Sequence, residues 1–382
     1  MTTAVKSGQG KAAAPVATRA FRIGVQRVDE TGTYDESRPM TTSSQDLPTL
    51  SVPATGFLNG LYVWVTVTTA GNSATTAFQA DGPWSAIDTI EFDDVNTKPI
   101  IGPFGGWDVY CLNKFGGYAF QDDPSSSPTY AATTGSGGTG GSAGFCLFLP
   151  LELCPRDGLG SLPNKASNST FKLKIRLAPS TAVYSTAPTT LGTVRVRVLP
   201  KSYWDPDAAD MKGRPLSQQP PAVTTTQFWS KTDLVVPAGA ISPMLPRVGF
   251  LLRNLVFVLR DNAGSRTVGE ADFPDPFMLQ YEANIMINRY RDVWRHQIAR
   301  DYGYSGAVAN AAGAKDLGVY VENYCHDFGS RPGWESRRGY LPTSSTSRLQ
   351  VKGTVGGTGN HTLTVLTNDV SPAAGDDAAI TV

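Results

Sequence analysis

The sequence predicts an all-β protein made from two copies of one β-rich unit. Three observations support this fold class. Apolar residues fall in short runs that alternate with polar ones, which is typical of half-buried strands. Glycine and proline are abundant, with 39 and 27 residues, and they fall mostly between these runs. The same landmarks also occur twice in the same order, which indicates an internal repeat.

The repeat is marked by matching turns ahead of matching strands. Gly56-Phe57-Leu58 opens one strand-like run, and Gly249-Phe250-Leu251 opens a second. Further along, two turns of the form Gly-x-Leu-Pro, at 160–163 and 339–342, each precede another alternating stretch. Each match is only a few letters long, so two unrelated β domains with similar turns remain the alternative. The common order of the landmarks favours a duplicated unit.

The first unit is predicted to span residues 21–205, after a flexible basic arm over residues 1–20. One short helix, over 106–114, carries Trp107 and lies between two glycine pairs. Five strands are predicted in this unit, at 57–69, 87–92, 145–153, 171–177 and 193–199.

The second unit is predicted to span residues 222–382. It follows a proline-rich linker over 206–221 that shows no periodicity. At 382 residues the chain is long enough for each unit to bury its own core. Five strands are predicted here as well, at 250–260, 278–287, 318–324, 348–355 and 362–367, the last two as a closing hairpin.

The clearest helix of the whole chain is predicted in the second unit, over 288–302. Tyr290 and Trp294 fall on one apolar face at helical spacing, and Arg295 belongs to the basic remainder of its surface. Trp294 is therefore the counterpart of Trp107. Each unit thus reads as strands, a helix that carries tryptophan, and further strands.

The basic arm and its extension contain no acidic residue before Asp29. A solvated tail and a functional contact are both compatible with this composition. The cations of this stretch are Lys6, Lys11, Arg19, Arg22 and Arg27.

The bulk composition argues against several classes of protein. The 33 basic and 33 acidic residues cancel, and charged residues make up only 17% of the chain, so sequence-specific nucleic-acid binding is not expected. The longest apolar runs are too short for a membrane-spanning helix, and the N-terminus does not resemble a secretory signal. The four cysteines are interpreted as buried thiols of a protein made in a reducing cytoplasm.

No catalytic, cofactor or metal site is predicted. The loop at 135–140 matches the spacing of a dinucleotide-binding loop, but a strand rather than a helix follows it. His296, His326 and His361 are too far apart in sequence to form a metal-binding pair. The aspartates between 205 and 210 lack the glycine and glutamate of a calcium loop.

Several short stretches, taken together and in order, resemble a known family. They are Gly56-Phe57-Leu58, Asp81-Gly82-Pro83, Ile90-Glu91-Phe92-Asp93, Gly106-Trp107, Val194-Arg195-Val196-Arg197-Val198, Phe257-Val258-Leu259-Arg260-Asp261-Asn262, Gln297-Ile298-Ala299-Arg300-Asp301 and Gly318-Val319-Tyr320. Over about residues 50–380 the chain resembles the double jelly-roll major capsid proteins of tectivirus-like internal-membrane phages, the lineage that includes the adenovirus hexon.

The resemblance implies two tandem eight-stranded jelly-roll β-sandwiches, each with a short flanking helix. It also implies a structural protein rather than an enzyme. Three chains would form a trimeric, pseudo-hexagonal capsomer, and capsomers would pack into an icosahedral capsid with other capsid proteins such as penton or cement proteins. The protein would then reside in the virion capsid, after assembly in the cytoplasm of a bacterial host.

The resemblance also suggests which residues make contacts. The flanking helices would offer subunit interfaces through Trp107, Tyr290, Trp294 and Arg295. The basic arm would face inward, toward the lipid of an internal membrane or toward the genome, without recognising a nucleic-acid sequence.

Two other functions remain open from the sequence. One is a tandem β-sandwich that binds or depolymerises carbohydrate in a phage fibre, because exposed tryptophans stack on sugars. The candidates for such stacking are Trp64, Trp84, Trp204 and Trp229. The other, within the capsid class, is a minor protein of the capsid vertex.

Overall fold

The computed structural model describes residues 27–29, 34–68, 76–118, 124, 141–155, 158–206, 209, 211, 225–246, 248–304, 306, 308, 311, 313–324 and 339–371. The arm expected over 1–20 lies outside these residues, as does most of the linker expected over 206–221.

The first unit consists mainly of strands. They are β1 (Arg27–Asp29), β2 (Asp35–Pro39), β3 (Gln45–Asp46), β4 (Leu50–Ser51), β5 (Phe57–Thr68), β6 (Ala77–Phe78), β7 (Ile87–Asp93), β8 (Pro99–Phe104), β9 (Ser142–Pro150), β10 (Leu162–Pro163), β11 (Lys172–Leu177), β12 (Tyr184–Thr186) and β13 (Thr193–Tyr203).

Its long strands form two sheets. In the first sheet β13 lies between β5 and the edge formed by β1 and β2, and β9 pairs with the other side of β5. In the second sheet β11 lies between β7 and the short strands β3 and β4, and β8 follows β7. The alternation in β5 and β13 turns Val63, Val65 and Val196 into the core. The neighbouring residues Tyr62 and Trp64 therefore lie on the outer face.

The second unit has fewer and longer strands. They are β14 (Gln227–Ile241), β15 (Leu251–Arg260), β16 (Phe277–Tyr281), β17 (Asn284–Arg289), β18 (Val319–Asn323), β19 (Leu341–Pro342) and β20 (Leu349–Val370). The second half of β20 pairs with both β14 and β15, and residues 353–355 pair with the end of β14. The first residues of β20 pair with β16, which pairs in turn with β17. One strand thereby contributes to both sheets of this unit.

The described helices are α1 (Gly106–Phe115), α2 (Ser180–Val183), α3 (Arg266–Asp272) and α4 (Arg291–Tyr302), with a 3-10 turn at Trp84–Ala86. Within the described residues, no helix is both long enough and apolar enough to span a membrane.

The two units share part of their core. The largest cluster of buried apolar residues contains Val63 and Leu147 of the first unit together with Val256, Val319 and Ile298 of the second. The units are also joined through a parallel contact between β8 and β14, at Ile101 and Trp229. The second unit also buries a core of its own, which includes Leu252, Phe257, Phe277 and Trp294, so the shared cluster is an addition to that core.

Three predictions of individual elements were wrong. The strand expected at 278–287 is a hairpin, since β16 and β17 turn back at Glu282-Ala283. The hairpin expected between 348–355 and 362–367 is one strand, β20, which bulges at 356–359 opposite β14. The helix expected from 288 begins at Arg291, because Asn288 and Arg289 still belong to β17.

Candidate functional site

Helix α1 lies at the junction of the two units and is buried along its whole length. Its first turn approaches the chain so closely that a Cβ on Gly106 would lie 2.1 Å from the carbonyl oxygen of Trp84, which accounts for glycine at this position. Along one side, Asn113 bonds both backbone groups of Phe148, so its amide closes the edge of β9 as another strand would. The helix is thus part of the core rather than an exposed flank.

Residues of the second unit contact both ends of α1. At the start of the helix, Asp108 accepts a hydrogen bond from the backbone of Gly105 (3.0 Å) and another from Lys231 of β14 (2.8 Å). At its end, Arg253 and Asn254 of β15 donate to the carbonyl oxygens of Gly116 (3.0 Å) and Phe115 (3.1 Å). These carbonyls have no partner within a helix, so the second unit completes the helix of the first.

A second set of contacts across the junction pairs buried charges. Lys114 of α1 forms an ion pair with Asp316 of the second unit, and both side chains are almost fully buried. Tyr110, also in α1, donates its hydroxyl to the same carboxylate at 2.8 Å. Because buried charges must be paired to be tolerated, these contacts hold the two units in one relative orientation.

Trp107 lies beside a third charge cluster at the same junction. The guanidinium groups of Arg260 and Arg266 lie 5.2 Å and 4.4 Å from its ring centre, within the range of cation–π contacts. Both arginines also pair with Asp81 of the first unit. Burial alone would raise the pKa of the Asp81 carboxyl, but the two arginines together hold it below its usual value.

Helix α4 in the second unit is only half buried. Trp294, Ile298 and Tyr302 face inward, whereas Tyr290 at its N-cap and Val293 in its first turn are exposed, at 66% and 45%. The apolar positions therefore divide between the core and the surface, although the sequence placed Tyr290 and Trp294 on one face.

Arg295 reaches from α4 to Glu270 of α3 with an ion pair. The hydroxyl of Tyr320 donates to the same carboxylate at 3.0 Å. Burial is the main cause that raises the pKa of Tyr320, and the negative charge of Glu270 raises it further. The hydroxyl therefore stays protonated and remains a donor.

The four residues expected at a subunit interface thus fall into two groups. Trp107 and Trp294 are buried inside the chain, with 3% and 0% exposure, and cannot touch a second subunit directly. Tyr290 is exposed and Arg295 is half-exposed, so both are accessible. The expected flank interface on the first unit is corrected accordingly, because the second unit covers α1.

A groove lies on the outer face of the first unit's first sheet, where the sequence offered only Trp64, as a candidate for sugar stacking. Its volume is about 490 Å³, and its lining includes Tyr34, Tyr62, Trp64, Cys146, Arg197 and Leu199. Cross-strand pairing brings these residues together, since Trp64 is opposite both Cys146 and Arg197. Strand β5 carries large apolar residues on its outer face as well as on its core face. That pattern is the sequence signal that could have revealed the groove.

Most of the remaining sequence candidates have a structural explanation or fall outside the described residues. Lys6, Lys11, Arg19 and Arg22 lie outside them, whereas Arg27 belongs to β1, where its guanidinium pairs with Asp29.

Two of the three histidines can be placed. His361 is buried and bonds Asp272 at 3.0 Å, and His296 is exposed on α4. Across the described ranges, no three potential metal ligands come together.

The tryptophans considered for sugar stacking differ in exposure. Trp84 and Trp229 are fully buried, with 0% and 1% exposure. Trp204 is exposed at 49%, and Trp64 is partly covered in the groove. Two of the four are therefore core residues and could not contact a glycan.

The architecture is two jelly-roll sandwiches in tandem, joined by a buried polar junction. No protein-family model and no curated protein matches the sequence, but solved structures match it over nearly its full length. The major capsid protein of Sulfolobus turreted icosahedral virus superposes with a TM-score of 0.59 at 10% identity, covering 94% of this chain and 100% of that one.

Two further structures agree. A chain in the atomic structure of the same virus gives a TM-score of 0.62 at 11% identity, with 94% of both chains covered. The major capsid protein P2 of bacteriophage PM2 gives 0.54 at 9% identity, covering 92% of this chain and 99% of that one. The chain therefore has the double jelly-roll fold, which confirms the predicted fold class.

Proposed function

We propose that the chain is the major capsid protein of an icosahedral virus and that it assembles as a homotrimer with a pseudo-hexagonal outline. The observation that carries this proposal is the fold match, which extends over nearly the whole length of this chain and of structures described as major capsid proteins. No long stretch of this chain is left over for a separate catalytic domain.

The inter-unit junction supports the same function on physical grounds. A tile of a closed shell must present its edges at fixed angles, so its two sandwiches cannot move independently. Here residues of the second unit contact both ends of α1, and buried ion pairs cross the junction. Three such rigid chains around a threefold axis would give six similar lobes.

The test is the mass of the purified protein in solution. Size-exclusion chromatography with light scattering should give about three times the chain mass of 40.7 kDa. Electron microscopy of the same sample should show particles with a hexagonal outline. A stable monomer at milligram-per-millilitre concentration would contradict the proposal.

The remaining capsid partners are part of the same proposal. The cations Lys6, Lys11, Arg19 and Arg22 would face the particle interior and contact membrane lipid or the genome, since each cation near an anionic bilayer contributes about 1 kcal/mol. Deleting residues 1–20 should leave trimers intact and impair particle assembly. Loss of trimers would instead identify the arm as a contact between subunits.

A minor vertex protein could share this fold, but it would be present in fewer copies per particle. We therefore propose that copies in a purified particle, counted by quantitative mass spectrometry, exceed those of every other shell protein. Assembly in a bacterial cytoplasm and contact with penton or cement proteins belong to the same proposal and would be tested on such particles.

A further inference from the structure

We propose that the groove on the first unit binds an exposed apolar strip on the second unit of a neighbouring copy. The strip is defined as Ile285, Met286, Tyr290 and Val293. This inference rests on the proposed trimer and names the two surfaces that hold it together.

The groove is shaped as a receptor for apolar side chains. Its floor is formed by aromatic and aliphatic groups on adjacent strands, of which Tyr62, Trp64 and Leu199 are only partly covered. Its volume of about 490 Å³ is large enough for several side chains. An exposed apolar depression of this kind is typical of an interaction site.

The strip is the complementary, protruding feature. Ile285, Tyr290 and Val293 are 58%, 66% and 45% exposed, and Met286 is also exposed. All four fall within nine residues: Ile285 and Met286 lie near the start of β17, Tyr290 is the N-cap of α4, and Val293 lies in the first turn of α4. Exposed side chains of this type leave apolar surface in contact with water, and covering that surface is favourable.

The distribution of the two features favours a second copy as the occupant. Of the exposed large apolar side chains in the described residues, eight lie beyond residue 221 and only three before it. The first unit instead offers the groove. A patch on one part of a molecule and a pocket on another make a head-to-tail contact, which closes into a ring when the rotation permits.

Charge complementarity points the same way. Arg197 at the groove is exposed and forms no ion pair with the described residues, whereas Arg195 pairs with Asp35. Asp292, between Tyr290 and Val293, is exposed and likewise forms no ion pair there. In the proposed contact the two charges would face each other at the rim, where opposite charges guide association.

Cys146 makes the contact directly testable, since its thiol lines the groove. The parent protein carries Cys325→Ser. Cys111 and Cys154 are buried, and burial raises the pKa of the Cys111 thiol well above its usual value, so neither should react readily. Val293→Cys places a second thiol on the strip. A short bismaleimide should then link chains into covalent dimers and trimers on a denaturing gel.

The matched control is Val235→Cys, which is 72% exposed in β14, outside the strip. It should give less than about a tenth of the cross-linked product, and adding Cys146→Ser to Val293→Cys should abolish that product. If light scattering shows trimers but Val293→Cys links no better than Val235→Cys, the surfaces are wrong while the trimer stands. If the protein is monomeric, both proposals fall.

A charge swap gives an independent measurement. Arg197→Glu and Asp292→Lys should each raise the trimer dissociation constant by about tenfold or more, since each places like charges at the rim. The double variant should return to within about threefold of the parent. If the two single effects simply add, the residues do not face each other, and the proposed contact is overturned.

Discussion

At the scale of single residues, the buried pair of Lys114 and Asp316 should be the most sensitive part of the junction. Asp316→Ala leaves the Lys114 ammonium buried without its carboxylate, and such a loss costs about 3–5 kcal/mol. Urea denaturation would measure it. The control is Asp205→Ala, which breaks an exposed pair with Lys165 and should cost less than about 1 kcal/mol. Equal losses would show that the junction is not stabilised by this pair.

Asp81 predicts the response of the fold to acid. Arg260 and Arg266 hold its pKa below the unfolded value of about 3.9. Its contribution to stability is therefore complete above that value and is lost as the pH falls through the depressed pKa. Asp81→Asn should be less stable than the parent at pH 7, and the difference should shrink below about pH 4. A constant difference from pH 7 to pH 3 would contradict this.

Glu322 provides a control of opposite sign. Burial raises its pKa despite the neighbouring Arg289, so the folded state gains stability as the pH falls through the raised value. Glu322→Gln removes that gain and should make the acid-induced loss of stability steeper than in the parent. Thermal unfolding at a series of pH values would measure both variants.

The junction contacts could not be found from the sequence, and chain separation is the reason. Lys114 and Asp316 are 202 residues apart, and Arg266 and Asp81 are 185 apart. Local patterns carry no information about such pairs. Trp107 was correctly placed on a short helix, but the burial of that helix depends on Lys231 and Arg253, which only the folded chain brings near.

At the scale of elements, strongly alternating segments were predicted well. The strand expected at 57–69 is observed as Phe57–Thr68, and the helix expected at 106–114 as Gly106–Phe115. Strand β14 was missed because Lys231, Pro237 and Gly239 interrupt its alternation. Its ladder with β20 stabilises it instead, and such pairing is decided by tertiary contacts rather than by propensity.

The glycine-rich bulge of β20 predicts a specific sensitivity. Gly357 has φ +66°, and a Cβ there would lie 2.5 Å from Asp272, whose carboxylate is bonded to His361. Gly357→Ala must therefore displace that carboxylate as well as strain the backbone. Gly303→Ala is the matched control, since Gly303 has φ +67° with open space around its Cβ position. The control should lose about 1–2 kcal/mol and Gly357→Ala more, measured by denaturation. Equal losses would mean that the Asp272 carboxylate can move away from the added methyl group without a cost in stability.

At the scale of the whole molecule, the two sandwiches pack against each other through a shared apolar cluster. The sequence suggested two independent domains because each unit repeats the same landmarks. The shared core contains Val256 and Val319 of the second unit beside residues of the first. Repeated landmarks favour a duplicated unit, but they do not describe how the two units pack. That packing depends on side chains such as Asn254, whose amide donates to the end of α1 across the junction.

This coupling predicts that neither half folds alone. A fragment of residues 1–221 would expose α1 and leave Asp108 and Lys114 without their partners. A fragment of 222–382 would likewise leave Arg253 and Asp316 without the groups of α1 that they bind. Each fragment expressed separately should aggregate, and co-expression should recover a soluble complex. Calorimetry of the intact chain should give one transition whose van't Hoff and calorimetric enthalpies agree. Two separate transitions, or a soluble folded fragment, would mean that the junction is only a contact between independent domains.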